Sequence, residues 1–219
     1  MIALDLAQGS PEWLHARIGI PTASCFDKII TPAKLQFSKS SESYAWQLIA
    51  EQVLRAPMDD VSSAFMERGT DMERRAVSFY ELQRDMGTQP AGFCLRDDRR
   101  VGCSPDRFVG ADGLLEIKVP SAKAHIGYLL DEDGIGYKAQ CQGQLWVCER
   151  EWIDTLSYHP VLPSALVRQA RDEVFIAALA AAVQQFLAML DDMKERLQRR
   201  YGTFEDEQFP VLTLVQGGA

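Results

Sequence analysis

Two carboxylates and an amine in one short stretch of this sequence are of the types that metal-assisted hydrolysis needs: Asp106, Glu116 and Lys118, within Val101 to Val119. Carboxylate oxygens make the hard site that Mg²⁺ prefers, and the carbonyl of Ile117 could add a further ligand. A lysine beside a bound cation could orient or deprotonate an attacking water, while the cation stabilises charge on a phosphate. On a solvated face the same residues would be an ordinary hairpin with a Glu–Lys pair that contributes little. Geometry separates the two readings.

Two short apolar runs flank Gly110-Ala111-Asp112-Gly113, the pattern of a hairpin turn. Glu116 and Lys118, two apart on the second strand, point to one face. Asp106 joins them in only one class of register. A three-residue loop Ala111-Asp112-Gly113, with Gly113 left-handed, sets Gly110 against Leu114 and Asp106 against Lys118. A two- or four-residue loop turns Asp106 to the opposite face. The preference for glycine at the last position of a three-residue loop favours convergence. Pro105 weakens pairing beside Asp106, which suits a strand edge or a bend near a site.

The elements that must carry these residues are read from pattern. Ser10-Pro11-Glu12 opens a helix, with Ser at the cap and Pro at the first helical position, and Gly19 ends it. A second short helix follows to Ile29. Its opening N–H groups, with the Ser24 hydroxyl and Arg17, could hold an anion; Arg17 alone would be a surface arginine. Lys28, Lys34 and Lys39 lie in a stretch without acidic residues, either a nucleic-acid contact or a solvated loop. Helical spacing covers Ser41 to Arg55 and about Ser63 to Asp85. Glu73 falls on the shoulder of that second helix's apolar face, where a carboxylate is part-solvated or paired with a nearby arginine.

A three-stranded antiparallel meander is expected over residues 91 to 119, then a helix from Ser121 to about Leu130. Asp131-Glu132-Asp133-Gly134 lacks the loop length and closing glutamate of a calcium loop and reads as a solvated turn. The next helix, Tyr137 to Arg150, puts Gln140 and Gln144 on a semi-apolar face. Buried amides need partners, so either is a candidate to touch water or substrate. A strand over 152–158 and one long helix over about 164–201 complete the pattern. In the tail 203–219, Phe209 to Val215 could form a further strand or a subunit contact. His15, His125 and His159 have no ligand spacing and are assigned no chemistry.

At 219 residues, with no repeat or clear linker, the chain reads as one mixed α/β domain, its core at about residues 8–160. No run approaches bilayer-spanning length and the N-terminus lacks a signal pattern, so the expectation is a cytoplasmic protein with no membrane partner. Five cysteines without a C-x-x-C pair read as core thiols rather than a zinc site. A net charge of −8 excludes a uniformly basic surface but not a local groove for phosphates.

Gln8-Gly9-Ser10-Pro11-Glu12-Trp13, Arg17-Ile18-Gly19, Thr22-Ala23-Ser24, Cys103-Ser104-Pro105-Asp106, Leu115-Glu116-Ile117-Lys118 and Ala139-Gln140-Cys141-Gln142 follow one another in the order found in a known family. Over roughly residues 8 to 158 the chain resembles the phage λ exonucleases, the YqaJ-type viral alkaline exonuclease branch of the PD-(D/E)xK nuclease superfamily. The resemblance implies a restriction-endonuclease-like core, a central mixed sheet flanked by helices. It also implies a two-metal 5′→3′ exonuclease that degrades one strand of duplex DNA from a free end.

Carried over position by position, Asp106 and Glu116, with the Ile117 carbonyl, look like ligands of Mg²⁺ or Mn²⁺, and Glu73 looks like the helix carboxylate of the second ion. Lys118 would activate the water and Gln140 assist near it. Arg17 with Ser24 and Ser104 resembles a 5′-phosphate pocket. Lys34 falls where relatives grip the duplex, and Phe65 and Met66 where they wedge the strands apart. A homotrimeric ring and a single-strand annealing protein as partner are further expectations from similarity. Competing readings are an endonuclease or resolvase on the same scaffold and a catalytically silent DNA-end-binding module.

Overall fold

The computed structural model describes residues 1–58, 63–131 and 135–202, without the side chains of 63–71. After β1 (Ile2–Leu4) comes α1 (Pro11–Ala16), whose Ser10 cap accepts from Trp13 N as the local chemistry requires. A 3₁₀ helix (Ala23–Lys28) leads into the ribbon β2 (Ile30–Thr31) and β3 (Gln36–Phe37), followed by α2 (Ser41–Leu54) and α3 (Ser63–Arg84). Next come β4 (Thr88–Pro90), β5 (Phe93–Leu95), β6 (Gly102–Cys103), β7 (Arg107–Val109) and β8 (Gly113–Lys118). The helices α4 (Ala122–Leu130) and α5 (Lys138–Cys148), the strands β9 (Trp152–Ser157) and β10 (Ala165–Ala170), and α6 (Glu173–Tyr201) follow.

The main sheet has the order β10-β9-β8-β7-β4 and is mixed, with β8 and β9 parallel and the other neighbours antiparallel. A parallel pair needs a crossover, which α4 and α5 occupy. Gly113 to Ile117 of β8 are all buried, as befits a central strand covered on both faces. Leu114 joins the larger core built with α2, α5 and α6, whereas Leu115 and Ile117 pack with Ala76 and Tyr80 of α3. Alternation along β8 therefore aims Glu116 and Lys118 at α5.

Three sequence expectations are corrected. The strands over 91–119 are not one meander: β5 and β6 pair with β1 in a separate three-stranded sheet, and β7 takes β4 as its other neighbour. Ser104-Pro105-Asp106 separates the two sheets, and proline there donates nothing to a ladder. The C-terminal helix does not begin near 164. Ala165–Ala170 is a strand paired along its whole length with β9, and Asp172 caps α6 by accepting from Phe175 N. By length and composition α6 also meets the measure of a membrane span, contrary to the sequence reading; its apolar stripe, including Phe175, Leu179, Val183, Phe186 and Leu190, lies in the core. The acidic turn at 132–134 and the tail 203–219 lie outside the described residues.

The rings of His125 and His159, distant in sequence, stack with centroids 5.6 Å apart. His125 is buried between Ser157 Oγ (2.7 Å) and the Pro163 carbonyl (2.8 Å), a satisfied core histidine. All five cysteines are free thiols.

On the α3 side, the fully buried Asp154 carboxylate accepts from Tyr80 Oη at 2.8 Å and from both ends of the Arg168 fork at 2.7 and 2.8 Å, with Arg84 Nε 3.6 Å away. Asp154→Ala would strand a buried hydroxyl and two guanidinium groups. We expect it to cost about 3 kcal/mol in urea unfolding, and Tyr80→Phe only about 1 kcal/mol. A loss below the tyrosine variant's would mean that water replaces the carboxylate without cost.

Candidate active site

Asp106, Glu116 and Lys118 meet because the hairpin keeps its parity. β7 and β8 pair as Arg107↔Leu115, Phe108↔Leu114 and Val109↔Gly113, which leaves Gly110-Ala111-Asp112 as the loop. Three residues are in the loop, as expected, but it starts one residue early, and the left-handed residue is Gly110 at φ 57° rather than Gly113. The ladder ends at Arg107↔Leu115, and Asp106 lies in the bend just before it, where the register, if extended, would meet Glu116 rather than Lys118. The pairing moves by two, so the face is retained. Asp106 Oδ2 accepts from the Ile117 N–H.

Glu116, 4% exposed, is held by three donors. Its Oε1 accepts from Lys118 Nζ at 2.7 Å and Gln140 Nε2 at 2.6 Å, and its Oε2 from Gln144 Nε2 at 2.6 Å. Lys118 Nζ also donates to Gln140 Oε1 at 3.1 Å and lies 4.3 Å from the centre of the Tyr137 ring. Gly143 lets α5 pack closely on the 3₁₀ helix, since an added Cβ there would stand 2.3 Å from the Phe26 ring. Gln140 and Gln144, one turn apart, then fall on the face that meets β8.

The electrostatics are those of crowded carboxylates. Burial first, and then the charges of Glu116 and Glu73, push the Asp106 carboxyl well above the usual range, with the Ile117 N–H and Lys118 opposing. Glu73, half-buried on α3, is raised by burial against the pull of Arg107, and Glu116 raises it further. For Lys118, burial acts to lower the pKa, but the charge and hydrogen bond of Glu116, then Asp106, more than offset it and hold the ammonium above its ordinary value. Its form in this arrangement is the protonated one.

The three acids influence one another: Glu116 raises the Glu73 carboxyl, and both raise that of Asp106. They are not packed into a closed shell: among the described residues no three His, Cys, Asp or Glu side chains are gathered to hold an ion. The donor set nevertheless suits a hard divalent cation, because its atoms are oxygens and the Asp106 carboxyl is disfavoured as an anion by burial and by Glu116 and Glu73, a charge that a cation would offset.

A second cluster lies two residues upstream of Asp106. Ser104 Oγ accepts from Trp13 Nε1 at 2.9 Å and from Arg17 Nη1 at 3.3 Å. Arg17 Nη2 donates to Thr22 Oγ1 at 3.4 Å, which is 3.2 Å from Ser24 Oγ. The guanidinium stacks on Trp13, 4.2 Å from the ring centre. Arg17, Ser24 and Ser104 are thus brought together, and Gln8 Nε2 fixes the connecting Pro105 carbonyl at 2.8 Å. Hydroxyls around a stacked guanidinium suit a phosphate or carboxylate.

Trp13 and Thr22 were missed, although the four-residue step from Trp13 to Arg17 on one helix was a readable signal for stacking. Tyr137 was missed too, and only the tertiary fold places it over Lys118. Lys34 stands exposed in the turn of the β2–β3 ribbon, and the structure does not bring it into either cluster. The side chains of Phe65 and Met66 lie outside the described residues.

Residues 12–151 match the model of the YqaJ-like viral recombinase domain. The chain is similar to the alkaline exonuclease LHK-Exo from Laribacter hongkongensis, at 29% identity and a TM-score of 0.77 over 87% of this chain and 97% of that one. The structure of LHK-Exo in complex with dAMP matches over the same shares, at 30% identity and a TM-score of 0.78. A phage related exonuclease from Haemophilus somnus 129PT shares the fold, with 13% identity and a TM-score of 0.64 over 81% of this chain and 96% of that one. No curated protein matches the sequence significantly.

Proposed function

Because this chain belongs to the family of YqaJ-like viral recombinase domains, we propose that it is a 5′→3′ exonuclease that degrades the 5′-ended strand of linear duplex DNA to mononucleotides and leaves a 3′ single strand for annealing. One observation carries this reading. The acidic centre and the arginine–hydroxyl cluster are joined by Ser104-Pro105-Asp106, so a reacting phosphodiester and a terminal phosphate would be held by one rigid segment.

Asp106, Glu116, the Ile117 carbonyl and Glu73 would hold Mg²⁺ or Mn²⁺. When bound, the cation supplies Lewis-acid stabilisation of phosphoryl charge and a more acidic water. The chain's own residues do the rest. Protonated Lys118 donates towards the reacting phosphate or water and is aimed by Glu116, Gln140 and the Tyr137 ring. Gln140, which both donates and accepts here, can orient the nucleophile. Water adds to phosphorus, the P–O3′ bond breaks, and the leaving 3′ oxygen takes a proton. The shortened strand then ends in a new 5′-phosphate, the same group that Arg17, Ser24 and Ser104 would receive. Each product end is therefore chemically a substrate end, which suits continued digestion. Lys34, Phe65 and Met66 would contact the duplex. A homotrimeric ring with positive charge turned to its hole would reconcile the acidic total with DNA binding, and a single-strand annealing protein would take the product.

The test is a timed digest of linear, nicked and closed circular duplexes with and without Mg²⁺, each linear duplex carrying either a 5′-phosphate or a 5′-hydroxyl. We expect mononucleotides from linear DNA only, with the phosphorylated end favoured by roughly 10²-fold, the scale of a charge-assisted arginine–phosphate contact. Arg17→Ala should erase that preference and leave the rate on hydroxyl ends unchanged. Cleavage of closed circles would instead make the protein an endonuclease.

A further inference from the structure

Three glutamines on α5 use their amides differently. Gln142 is satisfied at both ends: Nε2 donates to the Ala170 carbonyl at 2.9 Å, and Oε1 accepts from Asp172 N at 2.8 Å, which ties α5 to the start of α6. Gln140 is also satisfied at both ends, by Glu116 and Lys118. Gln144, 1% exposed, is not. Its Nε2 donates to Glu116 Oε2 at 2.6 Å, while its buried Oε1 has no hydrogen-bond partner among the described residues. A buried carbonyl without a donor is costly, and an apolar side chain of the same length would avoid the cost. What the amide supplies in return is its N–H on Glu116.

The two oxygens of Glu116 have unlike surroundings. Oε1 faces Lys118 and Gln140, both only partly buried. Oε2 points into the interior and is held there by Gln144. We propose that Gln144 is a positioning residue that locks the Glu116 carboxylate so that it offers a single oxygen to a divalent cation, and that it thereby favours Mg²⁺ over Ca²⁺. Mg²⁺ demands near-octahedral geometry with few carboxylate oxygens, whereas Ca²⁺ readily takes both oxygens of one carboxylate. With the amide removed, Glu116 is free to turn and present both. The inference rests on the reading of Glu116 as a cation ligand.

The experiment is calorimetric titration of Mg²⁺, Mn²⁺ and Ca²⁺ into the whole protein without DNA, comparing wild type, Gln144→Met and Asp106→Asn. Gln144→Met should weaken Mg²⁺ binding about 10- to 100-fold, the range for partners that orient a metal ligand. It should weaken Ca²⁺ binding less, so that the ratio of the two affinities moves at least about tenfold towards Ca²⁺. Should the methionine variant fold poorly, Gln144→Asn withdraws the amide by one methylene while staying polar, and the same shift is expected. Equal Mg²⁺ and Ca²⁺ affinities in wild type and the Gln144 variant, with Asp106→Asn deficient, would overturn the positioning role alone. Cation binding that is absent from wild type, or indifferent to Asp106→Asn, would overturn the underlying reading instead. A thermal double-mutant cycle adds a cation-free readout: the change in melting temperature on Gln144→Met should be less favourable in wild type than in a Glu116→Gln background, because only the former loses the amide's N–H on a buried carboxylate.

Discussion

Asp106→Asn should lower nucleotide release by a factor on the order of 10³, the loss of several kcal/mol of charge stabilisation, and at the same time raise the melting temperature of the cation-free protein. The two effects share a cause. In the folded chain the Asp106 carboxyl is pushed above its ordinary range by burial, Glu116 and Glu73. Between the unfolded and folded pKa values the native state binds more protons than the unfolded state, so stability falls as pH rises through that window and stays reduced above it. Asparagine carries no such penalty, and its carbonyl can still accept from the Ile117 N–H. The melting-temperature advantage of Asp106→Asn should therefore be present at pH 7–8 and vanish in acid, below the unfolded carboxyl pKa of about 4. Added Mg²⁺ should stabilise wild type, increasingly so as pH rises because cation and proton compete for one carboxylate, and leave the variant unmoved. Melting curves at several pH values, with and without Mg²⁺, check each part. A variant less stable than wild type at neutral pH would mean that Asp106 is a structural ion-pair partner.

Much of the site was legible because its signals are local or depend on parity. Ser10-Pro11-Glu12 opens α1 from capping chemistry that needs no tertiary partner. The hairpin loop starts one residue earlier than the glycine preference places it, yet the strands keep their facing parity, because moving a three-residue loop by one position shifts the pairing by two. Glu73 was readable as a carboxylate on the shoulder of an apolar face, and Gln140 and Gln144 as amides that had to find partners. The failures are non-local. Ala165 to Ala170 fits a helical period as well as a strand; contact with β9 decides, and no window of the sequence contains β9. The assignment of β5 and β6 to a sheet with β1 likewise depends on Ile2–Leu4, too short a segment to announce itself. Arg17, Ser24 and Ser104 come together only through the folded approach of α1 to the link between β6 and β7, and that same approach brings in Trp13.

Lys118→Met should separate catalysis from cation binding. Lys118 Nζ lies 2.7 Å from Glu116 Oε1, so in the cation-free state the ammonium occupies the oxygen that a divalent ion would need. Burial works against this charge, and Glu116 and Asp106 outweigh it, which leaves the ammonium protonated at neutral pH. Replacing it with an apolar side chain of similar length removes a competitor for Glu116 and the donor aimed at the reacting group. Turnover should fall about 10²- to 10⁴-fold, the range for a positioned proton donor or acceptor, while Mg²⁺ affinity is kept or increased. Asp106→Asn, by contrast, is expected to lose both. Calorimetry for the cation and single-turnover digestion of 5′-phosphorylated duplex measure the two quantities independently. If Lys118→Met lost Mg²⁺ binding in parallel with turnover, the lysine would be serving to hold Glu116 in place, and the donor to the reacting phosphate would have to be sought in Gln140.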